Sequence, residues 1–398
     1  KALRTDVNMH NRIPLALIRD DLDTVDDHKY QDHPSFPINR WKLPGLYRQR
    51  SSINDLGNEV PEQLFAARLF GKPFSITEYK FCVPNQFRSE GGPLIGGYAA
   101  LQGWDALYQF AWAHSDRAIR KDMQIGTFDF ANEPLAQLSD RLVMFLFRRG
   151  DVSPSGSRFA WNIPKNFWKT SLPVECPVEF SRLGLIAGIG TAVDGETIPG
   201  VTLLSLREAS GKAPLPDTRI QTLRRILFES GVATSSTGQL RLDSRKKTLA
   251  IHTPRTLSAP LASGALETGE LAVNGIQTPT TVSVSSLNAD PVSRSSRLLL
   301  FHLTDVLDSG TVFKGEKRQY LLKWGTLPHL VRRSPAKISL RLEGGSRPEV
   351  KALRLDGTVY GNVKSTFSNG VLHFTADPGL FRGGVMAYWI TRDSNGGK

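Results

Sequence analysis

Cysteine is nearly absent from this chain of 398 residues: Cys82 and Cys176 stand alone and far apart. Two such residues are too few for a disulfide framework or a cysteine-based zinc site, and both are read as free thiols. Long apolar runs are missing as well. The best candidates, LVMFLF at 142–147 and LGLIAGIGTAV at 183–193, fall short of the roughly 18 residues of a membrane helix, so no membrane partner is expected. The first residues, KALRTDVNMHNR, carry no initiator Met and no charged-then-apolar signal pattern, so a targeting peptide is expected to be absent or already removed. Localisation is left open, with a secreted or periplasmic bacterial setting among the choices. No internal repeat of fixed period is present.

The formal net charge of +12 raises the question of nucleic acid. Its distribution answers it. Residues 1–150 hold 19 Lys and Arg against 18 Asp and Glu, whereas residues 151–398 hold 31 against 20. The excess is scattered through β-like sequence, densest in RLDSRKKTLAIHTPR, with no basic helix, finger spacing or aromatic-plus-basic ribonucleoprotein signature. A solvated basic face is expected, and nucleic acid is not.

The hydrophobic share of 40% is enough for sizeable cores. Residues 1–150 alternate short β-like runs with helical patterns, as a parallel sheet with crossover helices does. Helical spacing covers 13–25, 59–71, 90–103 and 133–150; strand patterns cover 25–30, 73–79 and 104–114; a Pro-rich loop follows the first strand. From residue 151 the texture becomes short alternating runs punctuated by Gly, Pro, Ser and Asn, the pattern of an antiparallel β-sandwich, interrupted by one helix near 217–231. The expectation is therefore α/β plus all-β: a partial (β/α)8 (TIM-like) barrel over 1–150, followed by a β-sandwich domain over 151–398.

In parallel β/α architectures the reactive groups gather at the C-terminal ends of the strands. Three such ends carry polar and aromatic residues together: His28 with Tyr30 in DDHKY, Glu78 with Tyr79 in SITEY, and Trp112 with His114 in QFAWAH. His28 and Tyr30 lie two apart and share one face of a strand. A carboxylate flanked by Tyr and His, with a flat apolar ring nearby for a sugar, is what the nucleophile side of retaining glycoside hydrolysis uses. His28 and His33 with Asp27 and Asp32 match no metal-ligand spacing, and neither metal nor cofactor is expected.

DHKYQDHPSFP, the run from GKPFSITEYKFCVPNQFRSEGG through FAWAH, and FLFRRGDVSP resemble the sixth, seventh and eighth strands of the barrel of clan A glycoside hydrolases, cellulase family five-like bacterial glycosidases being the nearest match. RLDSRKKTLAIHTPR and KWGTLPHLVR resemble the C-terminal part of the same proteins. The resemblance implies a poly- or oligosaccharide substrate, Glu78 as nucleophile, His28 and Tyr30 beside it, and Trp112 under the sugar. In that clan the general acid/base is a Glu after Asn on the fourth strand. The Asn-Glu pairs here, in GNEV (57–60) and ANEP (131–134), follow the sixth strand and introduce helices, so they are read as capping residues. Glu90, Asp27, Asp32 and Asp129 are the other carboxylates near these strand ends. The acid/base is thus expected from outside this chain, with self-association or a partner chain completing the barrel. The alternative is a non-catalytic carbohydrate-binding protein, with Trp161, Trp168, Trp324 and Trp389 as candidate stacking rings.

Overall fold

The computed structural model describes residues 2–5, 8, 12–54, 56, 59–344 and 346–393. The chain is mixed α and β, with many antiparallel strands and few helices. Its N-terminal part is built on a parallel sheet in the spatial order Val25–Gln31, Phe74–Phe81, Ala106–Gln109. Of the expected helices, 13–25 contracts to Leu15–Arg19 and 59–71 to a 3-10 turn at Glu62–Ala67. The small-residue helix is present as Gly91–Gln102 and is buried along its whole length. Its glycines set that depth. A Cβ on Gly92 would meet the Ser139 carbonyl oxygen at 2.2 Å, and one on Gly96 the Val143 Cα at 2.9 Å, so the helix nests against Pro134–Val143 only because neither has a side chain.

The apolar core does not stop at residue 150. Gly188–Val193, Arg158–Ile163 and Thr202–Leu204 form a second parallel sheet, tied through a Leu69 to Thr191 bridge to the turn before the Phe74–Phe81 strand. One apolar cluster runs from Ile13 to Ile251 and includes Leu94, Trp161 and Leu240. Gly188–Val193 is buried at every position, so it shows no in-out alternation, and its Gly and Ala content reads like punctuation rather than strand. Among the described residues the parallel strands form two three-stranded sheets.

The helix expected near 217–231 is Thr218–Ser230. Asp217 caps it by accepting the Ile220 N–H at 3.0 Å, and Gly231 ends it with φ of 73°. Beyond it runs a long antiparallel sheet in the order Val359–Asn362, Glu349–Leu353, Ala387–Thr391, Arg297–Leu303, Thr280–Ser286, Thr256–Leu261, Thr248–His252, Leu240–Asp243, Val232–Thr234. A smaller one comprises Gly264–Thr268, Leu271–Ile276, Ala336–Arg341, Val371–Ala376 and Ser365–Ser368. The two share a core including Leu257, Val284, Leu300, Ile338, Leu340 and Phe374. Leu240, Leu242, Leu249 and Ile251, on the far strands of the long sheet, belong instead to the N-terminal cluster, so this sheet spans both cores.

A buried chain of charges also joins the two parts. Glu133 is 0% exposed; Lys80 Nζ and Arg88 Nε each reach its carboxylate at 2.8 Å. Arg88 continues to Asp305 at 3.3 Å and donates to the Val306 carbonyl at 2.7 Å; Arg318 reaches Asp305 at 2.8 Å. Burial pushes the Glu133 carboxyl up, but the Lys80 and Arg88 charges outweigh it and hold the group below the usual carboxylate range. Glu133 does stand at the N-cap position of Pro134–Val143, yet its side chain caps nothing, a correction to the helix-capping role read for it. Removing one member of such a network strands the others without water. Arg88→Met is therefore expected to lower unfolding free energy by roughly 3–5 kcal/mol, read as a fall in urea midpoint.

Candidate functional site

A single extra residue decides which way Glu78 faces. On the Phe74–Phe81 strand, Ile76 pairs with Asp27 and Glu78 with His28, leaving Thr77 outside the register; the shift recurs against Ala106–Gln109. Phe74 and Ile76 face the core, and strict alternation would send Glu78 after them. The bulge at Thr77 reverses the parity, so Tyr79 and Phe81 continue the core face and Glu78 opens onto a cleft. The Thr77 hydroxyl fixes the bulge by donating to Asp26 at 3.1 Å and accepting from the Asn8 amide at 2.9 Å.

Both carboxylate oxygens of Glu78 are held. The Tyr30 hydroxyl donates to Oε2, and the Asn8 amide donates to Oε1 at 3.3 Å. Burial first, and then the bond to Glu78, push the Tyr30 phenol upward, so it stays a protonated donor. The His28 ring meets the Asn8 carbonyl through Nδ1 and packs edge-on against Tyr30 with centroids 5.8 Å apart. His28, Tyr30 and Glu78 thus come together, with His28 and Glu78 inside their strands rather than at the last residues, and Asn8 joins them.

The cleft has a volume of about 670 Å³. Phe128 is its aromatic hub, with centroids 5.3 Å from Tyr30, 5.5 Å from His33, 5.8 Å from Phe110 and 6.0 Å from Trp41. His114 lines it too, paired through Nδ1 with the Asp129 carboxylate, which also accepts the His114 backbone N–H at 3.2 Å. Trp324, from the C-terminal part, closes one side.

Two expected contributors are elsewhere. Tyr79 is 2% exposed and lies on the core face, because the bulge that turns Glu78 outward turns its neighbour inward. Trp112 is 52% exposed and packs edge-on against Phe130 at 5.0 Å, outside the lining of the cleft. The strand it was assigned to stops at Gln109, so the alternation that would have aimed it inward has already ended. Trp41 and Trp324 present the indole rings instead. Trp41 has φ of 62°, a conformation costly for a bulky residue and disguised in sequence by its Pro-rich loop. Phe128 and Asp129 sit in a segment without regular structure, where no periodicity marks them.

The other carboxylates near the strand ends are structural. Asp27 accepts the His28 N–H at 2.7 Å and lies 3.7 Å from the buried Arg19 guanidinium. Asp32 is 1% exposed and accepts the Gln49 N–H and the Asn85 amide, each at 2.9 Å; burial raises its pKa. Glu59, of the other Asn-Glu pair, accepts the Asp32 N–H at 3.1 Å. Glu90 accepts the Ser51 hydroxyl at 2.7 Å and the Ser52 N–H at 3.0 Å, and burial pushes it up to about 7.

Glu90 has an opposite in His302, which burial pushes down to about 4. With its folded pKa raised, Glu90 binds more protons folded than unfolded, so its contribution to stability falls as pH rises from about 4.5 to 7. His302, with its folded pKa depressed, contributes stability that is lost as pH falls from 6.5 to about 4. Between pH 5 and 6.5 the two contributions change in opposite directions, each by on the order of 2 kcal/mol. Glu90→Gln is expected to leave a urea midpoint that rises with pH across this window, and His302→Leu one that falls.

No family model matches the chain, and no curated protein matches it. Solved structures similar to it include the α-fucosidase of Thermotoga maritima, at 10% identity and a TM-score of 0.18 over 94% of this chain and 77% of that one. Another is the catalytic domain of the GH30 xylanase C from Talaromyces cellulolyticus, at 10% identity and a TM-score of 0.15 over 80% of this chain and 62% of that one.

Proposed function

We propose that the cleft is a carbohydrate site of glycoside hydrolase type, with Glu78 as the nucleophile of a retaining reaction and the two parallel sheets as parts of a barrel-like wall. The observation that carries this reading is the clamped carboxylate: Glu78, in the second half of the Phe74–Phe81 strand, held by Tyr30 and Asn8 beside an aromatic cleft. Glu78 attacks the anomeric carbon, the bond to the leaving oxygen breaks, and water later hydrolyses the glycosyl ester. Tyr30 and Asn8 keep the carboxylate aimed, and Trp41 and Phe128 offer ring faces to the sugar.

The leaving oxygen needs a proton. The second carboxylate lining the cleft, Asp129, is engaged by His114, so the acid/base is proposed to come from further polypeptide or a partner chain. That same engagement favours one other reading, a site that binds saccharide without cleaving it.

A mechanism-based 2-deoxy-2-fluoroglycoside series, followed by peptide mass spectrometry, is expected to label Glu78; labelling elsewhere, with Glu78→Gln still active, sinks the nucleophile assignment. Glu78→Gln should lose at least about a thousandfold in kcat, equal to about 4 kcal/mol of barrier. Saccharide binding with no turnover or labelling in any assembled form supports the binding-only reading. Trp41→Ala is expected to raise KM several-fold with kcat little changed, whereas Trp112→Ala should change neither.

A further inference from the structure

A second concavity, about 1090 Å³, lies in the C-terminal part on the smaller antiparallel sheet, walled by residues 347–350 and 362–365. The pleat decides what it displays. Ala336–Arg341 and Val371–Ala376 alternate buried and open positions, so Lys337, Ser339, His373 and Thr375 share the outward face while Ile338, Leu340, Leu372 and Phe374 fill the core. Lys337 stands opposite Thr375 and beside Asn274, and Ser339 hydrogen-bonds His373 across the strands at 2.9 Å. Arg347 and Lys364 flank this face from the wall, Arg347 donating to the Ser365 carbonyl at 2.9 Å.

The charge is one-sided. Glu349, the acid of the lining, is bound to Lys351 at 3.0 Å. Among the described residues neither Lys337 nor Lys364 has an acidic partner within salt-bridge distance, and both are exposed. Three cations above a lining that mixes hydroxyls and amides with apolar groups such as Val350 and Val363, in a volume at the upper end of ligand sites, describe a receptor for something anionic that carries both hydroxyls and C–H faces.

We infer that this groove binds an acidic polysaccharide chain, one bearing carboxylates or sulfates, through Lys337, Arg347 and Lys364. Single-stranded nucleic acid fits the charge but not the floor. Its bases need a succession of rings to stack on, and the lining offers His373 outward and Phe374 only 6% exposed. Sugar hydroxyls find donors and acceptors in Asn274, Ser339, Asn362 and Thr375. The site lies on residues separate from the cleft, so its occupancy is measured without turnover and does not depend on the reading of Glu78.

The test is titration of the full chain with oligogalacturonides, uncharged malto-oligosaccharides and a single-stranded DNA 20-mer at 50 and 200 mM salt. The expected result is saturable oligogalacturonide binding that weakens by about tenfold between the two salts, with no binding of the neutral sugar. Lys337→Ala/Lys364→Ala should weaken it at least tenfold with the thermal midpoint unchanged, while Glu78→Gln binds as the wild type. Absence of oligogalacturonide binding at 50 mM salt overturns the proposal, as does binding indifferent to the double substitution. Tighter DNA binding through the same lysines overturns it in favour of nucleic acid.

Discussion

One buried carboxylate ties the Glu78 strand to the C-terminal part of the chain. Glu133 fixes the end of the Phe74–Phe81 strand through Lys80, and through Arg88 and Asp305 the start of the C-terminal segment that delivers Trp324. Glu78 lies two residues before Lys80, and Asp129 four before Glu133. Each charge has lost its water, so each is stable only while its partners stay in place. A network of this kind contributes little net energy against a well-packed apolar substitute. What it supplies is position, because an ion pair in low dielectric tolerates much less displacement than an apolar contact does.

Where the carboxylates stand relative to water sorts their roles. Asp27, Asp32, Glu90 and Glu133 are sealed and spend their oxygens on backbone N–H groups, hydroxyls or cations. Glu78 is only partly buried, and its two partners leave it facing a space large enough for a ligand. An acid that organises the chain and an acid that faces an open cleft look alike as letters in a row; burial separates them.

The sequence made the strand ends legible because parallel β/α units concentrate polar groups there, which is how His28, Tyr30 and Glu78 come to stand out together. Thr218–Ser230 and Gly91–Gln102 were legible for local reasons, a cap and a glycine stop in one and a run of small residues in the other. The rest was hidden by contacts between distant parts. Gly188–Val193 has no alternation because both its faces are covered. Asn8, Trp41 and Phe128 acquire meaning only from what folds against them. Asn-Glu at 132–133 matches a helix start by position, yet the Glu is consumed by two cations that no local pattern reveals.

The bulge at Thr77 makes the site depend on counting as much as on chemistry. Many side chains at 77 would leave Glu78 pointing outward, since the extra backbone unit is what sets the direction. If the strand instead kept every residue and paired straight through Thr77, strict alternation would exchange the two sides of the strand beyond it. An acid would then enter the oil of the core and the Tyr79 ring would stand in the cleft. A related chain with one residue fewer before its Glu would aim the acid outward with no bulge at all, whereas one that kept the residue but lost the bulge would keep the letter and lose the site.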